Sequence, residues 1–242
     1  VAPDSLKTYE GRAPERASDA SVSRVFDAYA ESFDASLQRL NYQAPELVAQ
    51  AVRDALGEPV RALDVADVGC GTGLMAPLLA PWARRLAGCD LSAGMLRQAD
   101  RRGGYDELEQ AELVQYLATR PAAFDLVVSA DTLCYFGDLH AAVQAAFTAL
   151  RPGGWLVFTV EALEDEAATM STTTSPTTPP AMPFRLELSG RYTHAQAHVL
   201  AAVAAAGFAP PRVQAVVPRE EAGRPVRGWL ATAQRPPSSG PA

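Results

Sequence analysis

Apolar residues recur at three- and four-residue steps through "SVSRVFDAYAESFDASLQRL". Val22, Val25, Phe26, Tyr29, Phe33, Leu37 and Leu40 share one face, so the pattern predicts an amphipathic helix over 21–40. "PELVAQAVRDALG" predicts a second helix, with Pro45 in its first turn and Gly57 as its stop. Strands and helices then alternate. "ALDVADV", "RLAGCDL", "LEQAEL", "FDLVVSADTL" and "WLVFTVE" read as strands, and "LMAPLLAPWA", "SAGMLRQADRR" and "LHAAVQAAFTAL" as helices, with Ser92 capping the second of these. "FDLVVSADTL" is apolar on both faces, as a central parallel strand must be. This rhythm predicts an α/β fold with a doubly wound sheet.

The pattern lapses in three places. Residues 1–20 are rich in Pro, Ser and charge and are expected to form a flexible tail. Residues 164–183 hold the Thr/Pro-rich "DEAATMSTTTSPTTPPAMP", expected to be a mobile loop, and 236–242 read as a disordered tail. Between loop and tail come "FRLELS", a helix "HAQAHVLAAVAAAGF", and strands near "VQAVVP" and "VRGWLATAQR". The turn-like "REEAGRP" joins those two strands as an antiparallel pair. A chain of 242 residues suits one large domain, here 21–235.

Charge narrows the partners. The formal net charge is −7 with no basic block, which argues against nucleic acid and against an anionic membrane surface. No apolar run approaches the ~18 residues of a membrane span, and the first residues lack the apolar core of a secretory leader. Cys70, Cys89 and Cys134 have neither disulfide nor zinc spacing, so a cytoplasmic setting and no metal site are expected.

The candidate chemistry begins at "DVGCGTG", where Gly69, Gly71 and Gly73 alternate directly after a strand. A strand, a glycine loop and a helix form a site in which backbone amides face a ligand. Gly71, Gly73 and Ala76 satisfy the weaker dinucleotide spacing, so the glycines alone leave a nicotinamide cofactor open. Asp67, immediately before the loop, repels a pyrophosphate and welcomes an ammonium group. Asp90, at the end of the next strand, is placed to accept from both hydroxyls of a ribose. Cys70, inside the loop, is read as a small buried filler.

With these motifs the chain resembles the class I S-adenosylmethionine-dependent methyltransferases, whose fold is a Rossmann-like, seven-stranded mixed sheet with helices on both faces. "CDLSAGML", "FDLVVSADTLCYFGDL" and "LRPGGWLVF" are similar to further motifs of that family. "FDAYAESFDASLQRLNYQAPEL", "GRYTHAQAHVLAAVAAAGF" and "PREEAGRPVRGWLA" resemble, more narrowly, bacterial methyltransferases often joined to tetratricopeptide repeats, although no repeat is present here. The resemblance implies S-adenosyl-L-methionine as cofactor and S-adenosyl-L-homocysteine as product. It implies that Gly69, Cys70, Gly71 and Gly73 approach the cofactor and that Asp67 meets its amine through water. Asp90 would hold the ribose, Leu91 and Met95 would pack on adenine, and Glu112 with Leu113 would receive the adenine edge. Ala130 would line the methionine end. Residues 21–57 would close as a helical lid, with Tyr29 shielding the sulfonium.

The methyl acceptor is expected to be a small molecule reacting at O, N or S, held at the C-terminal ends of the strands. A peptide or carrier-bound intermediate, or a regulatory protein that binds the cofactor without turnover, are the alternatives. Candidate catalytic groups are His194, Asp131 and Tyr135, with Glu161 also in reach; His194 has the ordinary pKa of a base at neutral pH. "SADT" stands where amino-directed enzymes acting on bases and glutamine carry an Asn/Asp-Pro-Pro-Tyr box. A monomer or homodimer is expected.

Overall fold

A computed structural model describes residues 16–163 and 182–238. The two expected tails are therefore described only over 16–20 and 236–238, and most of the Thr/Pro-rich stretch lies outside the described residues. Five parallel strands form the frame: β1 (Leu63–Val68), β2 (Ala83–Asp90), β3 (Glu107–Gln110), β4 (Phe124–Ser129) and β5 (Leu150–Ala162), in the order β3-β2-β1-β4-β5. Two further strands, β6 (Phe184–Leu186) and β7 (Tyr192–His194), form a hairpin on the end of β5. Antiparallel β8 (Arg212–Glu221) and β9 (Arg224–Gln234) complete the sheet, β9 pairing with β5 along Trp155–Glu161.

Apolar side chains on both faces of the parallel strands explain the layering. Val65, Leu126 and Val157 pack one way, with Val48 and Val52 of α3 (Ala44–Leu56) and Leu79 of the short α4 (Ala76–Leu79). Ala66, Val127 and Phe158 pack the other way. That second layer includes α6 (Leu113–Ala118), α7 (His140–Ala149) and α8 (Gln196–Ala206). The chain turns from β1 to β2 in one direction and later to β4 in the other, which leaves a crevice at the C-terminal end of β1. Open α/β sheets bind their ligands at such a switch point.

Several expectations change. The helix expected over 21–40 is two: α1 (Asp19–Tyr29) and α2 (Phe33–Arg39), divided at Ala30–Ser32, where Ser32 N donates to Tyr29 O at 3.0 Å. The helix expected at 74–83 shrinks to α4 because Pro81 blocks continuation and β2 starts at Ala83. Helix α6 was not legible as a periodic stretch, being only six residues long. Helix α5 (Ala93–Arg102) matches expectation, and Met95 N donates to the Ser92 hydroxyl at 3.1 Å.

The turn in "REEAGRP" is much tighter than the sequence suggests. Pairing of Arg219 with Val226 and Glu221 with Arg224 leaves only Ala222 and Gly223 in the loop, both with positive φ. Arg219 and Glu221 therefore belong to a strand. The register of β8 shifts between Val216 and Arg219, around Pro218, and this bulge aims Arg219 inward.

Candidate active site

A cavity of about 220 Å³ opens at the switch point, roofed by α1 and α2 and floored by the ends of β1, β2 and β4. Asp67, 1% exposed, leaves β1 into this cavity. Tyr105 Oη donates to Asp67 Oδ2 at 2.5 Å, while the buried Oδ1 has no partner. Burial pushes the Asp67 carboxyl up to about 7. Asp90 ends β2 and accepts from Gly71 N at 3.0 Å and from Ser92 N at 2.8 Å. Burial raises its pKa, and those two amides pull it back.

Two glycines keep this corner open. A Cβ on Gly69 would lie 2.2 Å from Thr132 Oγ1, so the β4 loop could not close on β1; Thr132 Oγ1 donates to Gly69 O at 3.2 Å. Gly71, at φ +55°, would project a side chain into open space. Cys70, Leu91, Met95, Glu112, Leu113 and Ala130 also line the cavity.

Three positions do not. Gly73 is set back from the cavity, with Tyr105 and Ala99 filling the space beside it. Its role is packing between the loop and α5. Tyr29 is 55% exposed on the outer face of α1, because the turn at Ala30–Ser32 gives the inner face to Phe26 and Phe33. His194 is fully buried at the end of β7, off the cavity, with Nε2 2.7 Å from Phe136 O. Burial lowers its pKa to about 4, so the imidazole is uncharged at neutral pH. The expected helix start at His194 lies two residues further on, at Gln196.

Asp131 and Tyr135 do line the cavity, at its far end from Asp90 in the sheet order. Asp131 adopts φ +56°, held by its amide donating to Thr159 Oγ1 at 2.8 Å. Both its carboxylate oxygens accept from Arg219 Nη1 at 2.8 Å. Arg219 also donates to Glu221 at 2.8 Å and to Glu161, and Arg191 donates to Glu161 and Glu221 at 2.5 Å each. Burial raises the Asp131 pKa against the opposing pull of Arg219. For Arg219, burial works against charge, but Asp131 and Glu161 outweigh it and lift the guanidinium well above its usual value. Tyr42 completes this wall; Gln43 N donates to Pro218 O and Glu220 N to Leu40 O, each at 2.7 Å, which sews the end of the roof to β8.

Sequence reasoning missed Arg191, Arg219 and Glu221. The signal available was Pro218, a proline inside an otherwise alternating strand, which marks a bulge. It also missed how the roof is fastened. Asp27 of α1 accepts from the Ser92 hydroxyl at 2.6 Å and Gly94 N at 2.9 Å, and Asp34 of α2 accepts from the Thr72 hydroxyl at 2.6 Å and pairs with Arg102.

Residues 66–158 match the family profile described as "Methyltransferase domain". The fold is the Rossmann-like fold of class I methyltransferases. In the cavity the buried Asp67 Oδ1 has no partner, and nothing crowds the Cβ position of Gly71. The chain is similar to human methyltransferase-like protein 27, 34% identical over 55% of each chain. It is similar to the structure of an S-adenosylmethionine-dependent methyltransferase from Mesorhizobium loti, 26% identical, with TM-score 0.56 over 77% of this chain and 96% of that one. The fold is also that of the 1,6-didemethyltoxoflavin-N1-methyltransferase of Burkholderia thailandensis, solved with S-adenosylhomocysteine, at 19% identity and TM-score 0.65 over 93% of each chain. The human relative is matched over about half its length. Among the described residues no helix is long and apolar enough to cross a membrane.

Proposed function

We propose that this chain transfers the methyl group of S-adenosylmethionine to a small-molecule acceptor. The observation that carries the reading is the union of two ends in one cavity: Asp67 and Asp90 at one, Asp131 and Tyr135 at the other, under a common roof. When bound, the cofactor supplies a methyl group already activated on sulfur. Asp67 Oδ1 takes its amine and Asp90 its ribose hydroxyls. Leu91 and Met95 pack the adenine, Glu112 and Leu113 meet its edge, Cys70 fills behind the loop, and Ala130 borders the methionine arm.

The chain's remaining task is to position the acceptor and keep water out. Phe26 and Phe33 in the roof form edge-to-face pairs (Phe26 with Phe33 at 5.9 Å and with Tyr135 at 5.6 Å), giving the acceptor end an aromatic lining. Tyr135, on the same wall, is the polar group best placed to orient an acceptor, since Asp131 is already engaged by Arg219. The roofed chamber favours a small acceptor over a peptide or carrier-bound one.

Calorimetric titration with S-adenosylmethionine and S-adenosylhomocysteine, with NADH as control, tests the reading. Micromolar binding of both adenosyl ligands and none of NADH is expected. Binding of NADH alone would overturn it.

A further inference from the structure

The acceptor end of the cavity has an unusual electrostatic makeup for a wall that contains two arginines. Asp131, Glu161 and Glu221 surround Arg191 and Arg219, three carboxylates against two guanidiniums, so the cluster carries a formal net charge of −1. The arginines are largely engaged within the cluster. Arg219 is 3% exposed and spends Nε, Nη1 and Nη2 on the three acids, and Arg191 spends Nε and Nη2 on two of them. To pair with Arg219, an anionic acceptor would have to displace Asp131 or Glu161 from a buried ion pair.

The aromatic lining adds to the same preference. Phe26, Phe33, Tyr42 and Tyr135 line the chamber, and aromatic rings attract cations through their quadrupole. Glu221, 39% exposed at its side chain, is the cluster carboxylate most open to a visitor. An aromatic roof over a net-negative floor is the chemistry that recognises an organic ammonium.

Resting on the methyl-transfer reading above, we propose that the acceptor is a small amine that arrives as a cation, selected by the aromatic roof and by the surplus carboxylate of the Asp131–Glu161–Glu221–Arg191–Arg219 cluster. The amine gives up one N–H proton to solvent. The freed nitrogen lone pair then bonds the methyl carbon as the sulfur–carbon bond breaks and S-adenosylhomocysteine is released. Neutral alcohols of the same shape bind more weakly, and carboxylates are excluded.

The test uses three probes with a common phenyl body: 2-phenylethylamine, 2-phenylethanol and 3-phenylpropionate. Each is titrated into the full chain, with and without saturating S-adenosylhomocysteine, and binding is followed by calorimetry and by ligand-observed NMR. The amine is expected to bind at least tenfold more tightly than the carboxylate. Glu221→Gln, which takes the cluster to a formal charge of zero, is expected to erase most of that ratio, and Glu221→Asp to keep it. Equal binding of amine and carboxylate, a preference for the carboxylate, or no binding of the amine at millimolar concentration would each overturn the proposal. The S-adenosylhomocysteine titration is read separately: its failure would sink the methyl-transfer reading, whereas its success with no amine preference sinks only the acceptor class.

Discussion

Asp131 and Arg219 lie 88 residues apart in the chain, yet both carboxylate oxygens of the first sit 2.8 Å from one guanidinium nitrogen of the second. The pair joins the loop after β4 to the bulge in β8 across the cavity floor. Removing one partner of a buried pair strands the other's charge, which costs about 3–5 kcal/mol. Arg219→Met is therefore expected to lower the unfolding free energy by about that amount, as three carboxylates lose their common donor. Asp131→Asn should cost less, because Asn tolerates the left-handed backbone at this position. Urea melts of the two variants measure both; equal losses would mean that the charge is not what matters.

Asp67 gives a pH dependence of definite sign. Its carboxyl is raised from 3.8 to about 7 by burial, so between those values the folded, ligand-free protein keeps a proton that the unfolded chain has lost. Its contribution to stability thus falls as pH rises through that window. Ligand binding runs the other way, since an ammonium partner needs the ionised form. S-Adenosylhomocysteine affinity should climb from pH 6 to pH 8, and binding at pH 6 should release roughly 0.9 of a proton from this group. Titrations in two buffers of different ionisation enthalpy measure the release. A pH-independent affinity would remove Asp67 from the cofactor site.

Asp90 has a double duty, because its carboxylate already holds the Gly71 and Ser92 amides before any ligand arrives. Asp90→Ala should weaken cofactor binding by about 10- to 150-fold, the equivalent of one charge-assisted bond of about 1.5–3 kcal/mol. It should also loosen the glycine loop, seen as faster hydrogen exchange at Gly71. Unchanged affinity would make Asp90 a loop anchor only.

The roof is held by side chains that can be cut without touching the cavity wall. Asp27→Ala removes the acceptor for Ser92 and Gly94, and Asp34→Ala the one for Thr72 and Arg102. Faster exchange is expected across 19–39 in the double variant, with β1 to β5 still protected. A uniform loss of protection would show that the roof and sheet unfold together.

His194 predicts a stability signature rather than a catalytic one. Its pKa falls from 6.5 to about 4 on burial, so between those values the unfolded chain binds the extra proton. Its share of stability is full above pH 6.5 and is lost as pH falls toward 4. His194→Gln should flatten that part of the stability profile, and the pH dependence of methyl transfer near neutrality should not change. A lost kinetic limb in the variant would restore His194 to the chemistry.

The sequence alone determined the parallel core, the glycine loop and the Asp67, Asp90 and Glu112 end of the cavity. Those features rest on local rules: apolar runs of strand length, a cap at Ser92, and acids one or two residues from strand ends, which the topology of an open sheet brings together. The end of the cavity around Asp131 and Arg219 was decided by tertiary structure. Arg219 points inward because a bulge at Pro218 breaks the alternation of β8, and Tyr29 points outward because a three-residue turn rotates α1 relative to α2. His194 is buried because a hairpin, too short to show any periodicity, packs against β5. Contacts between residues 30 to 88 positions apart, as in the Arg191, Arg219 and His194 environments, depend on sheet register and burial. No window of the sequence contains them.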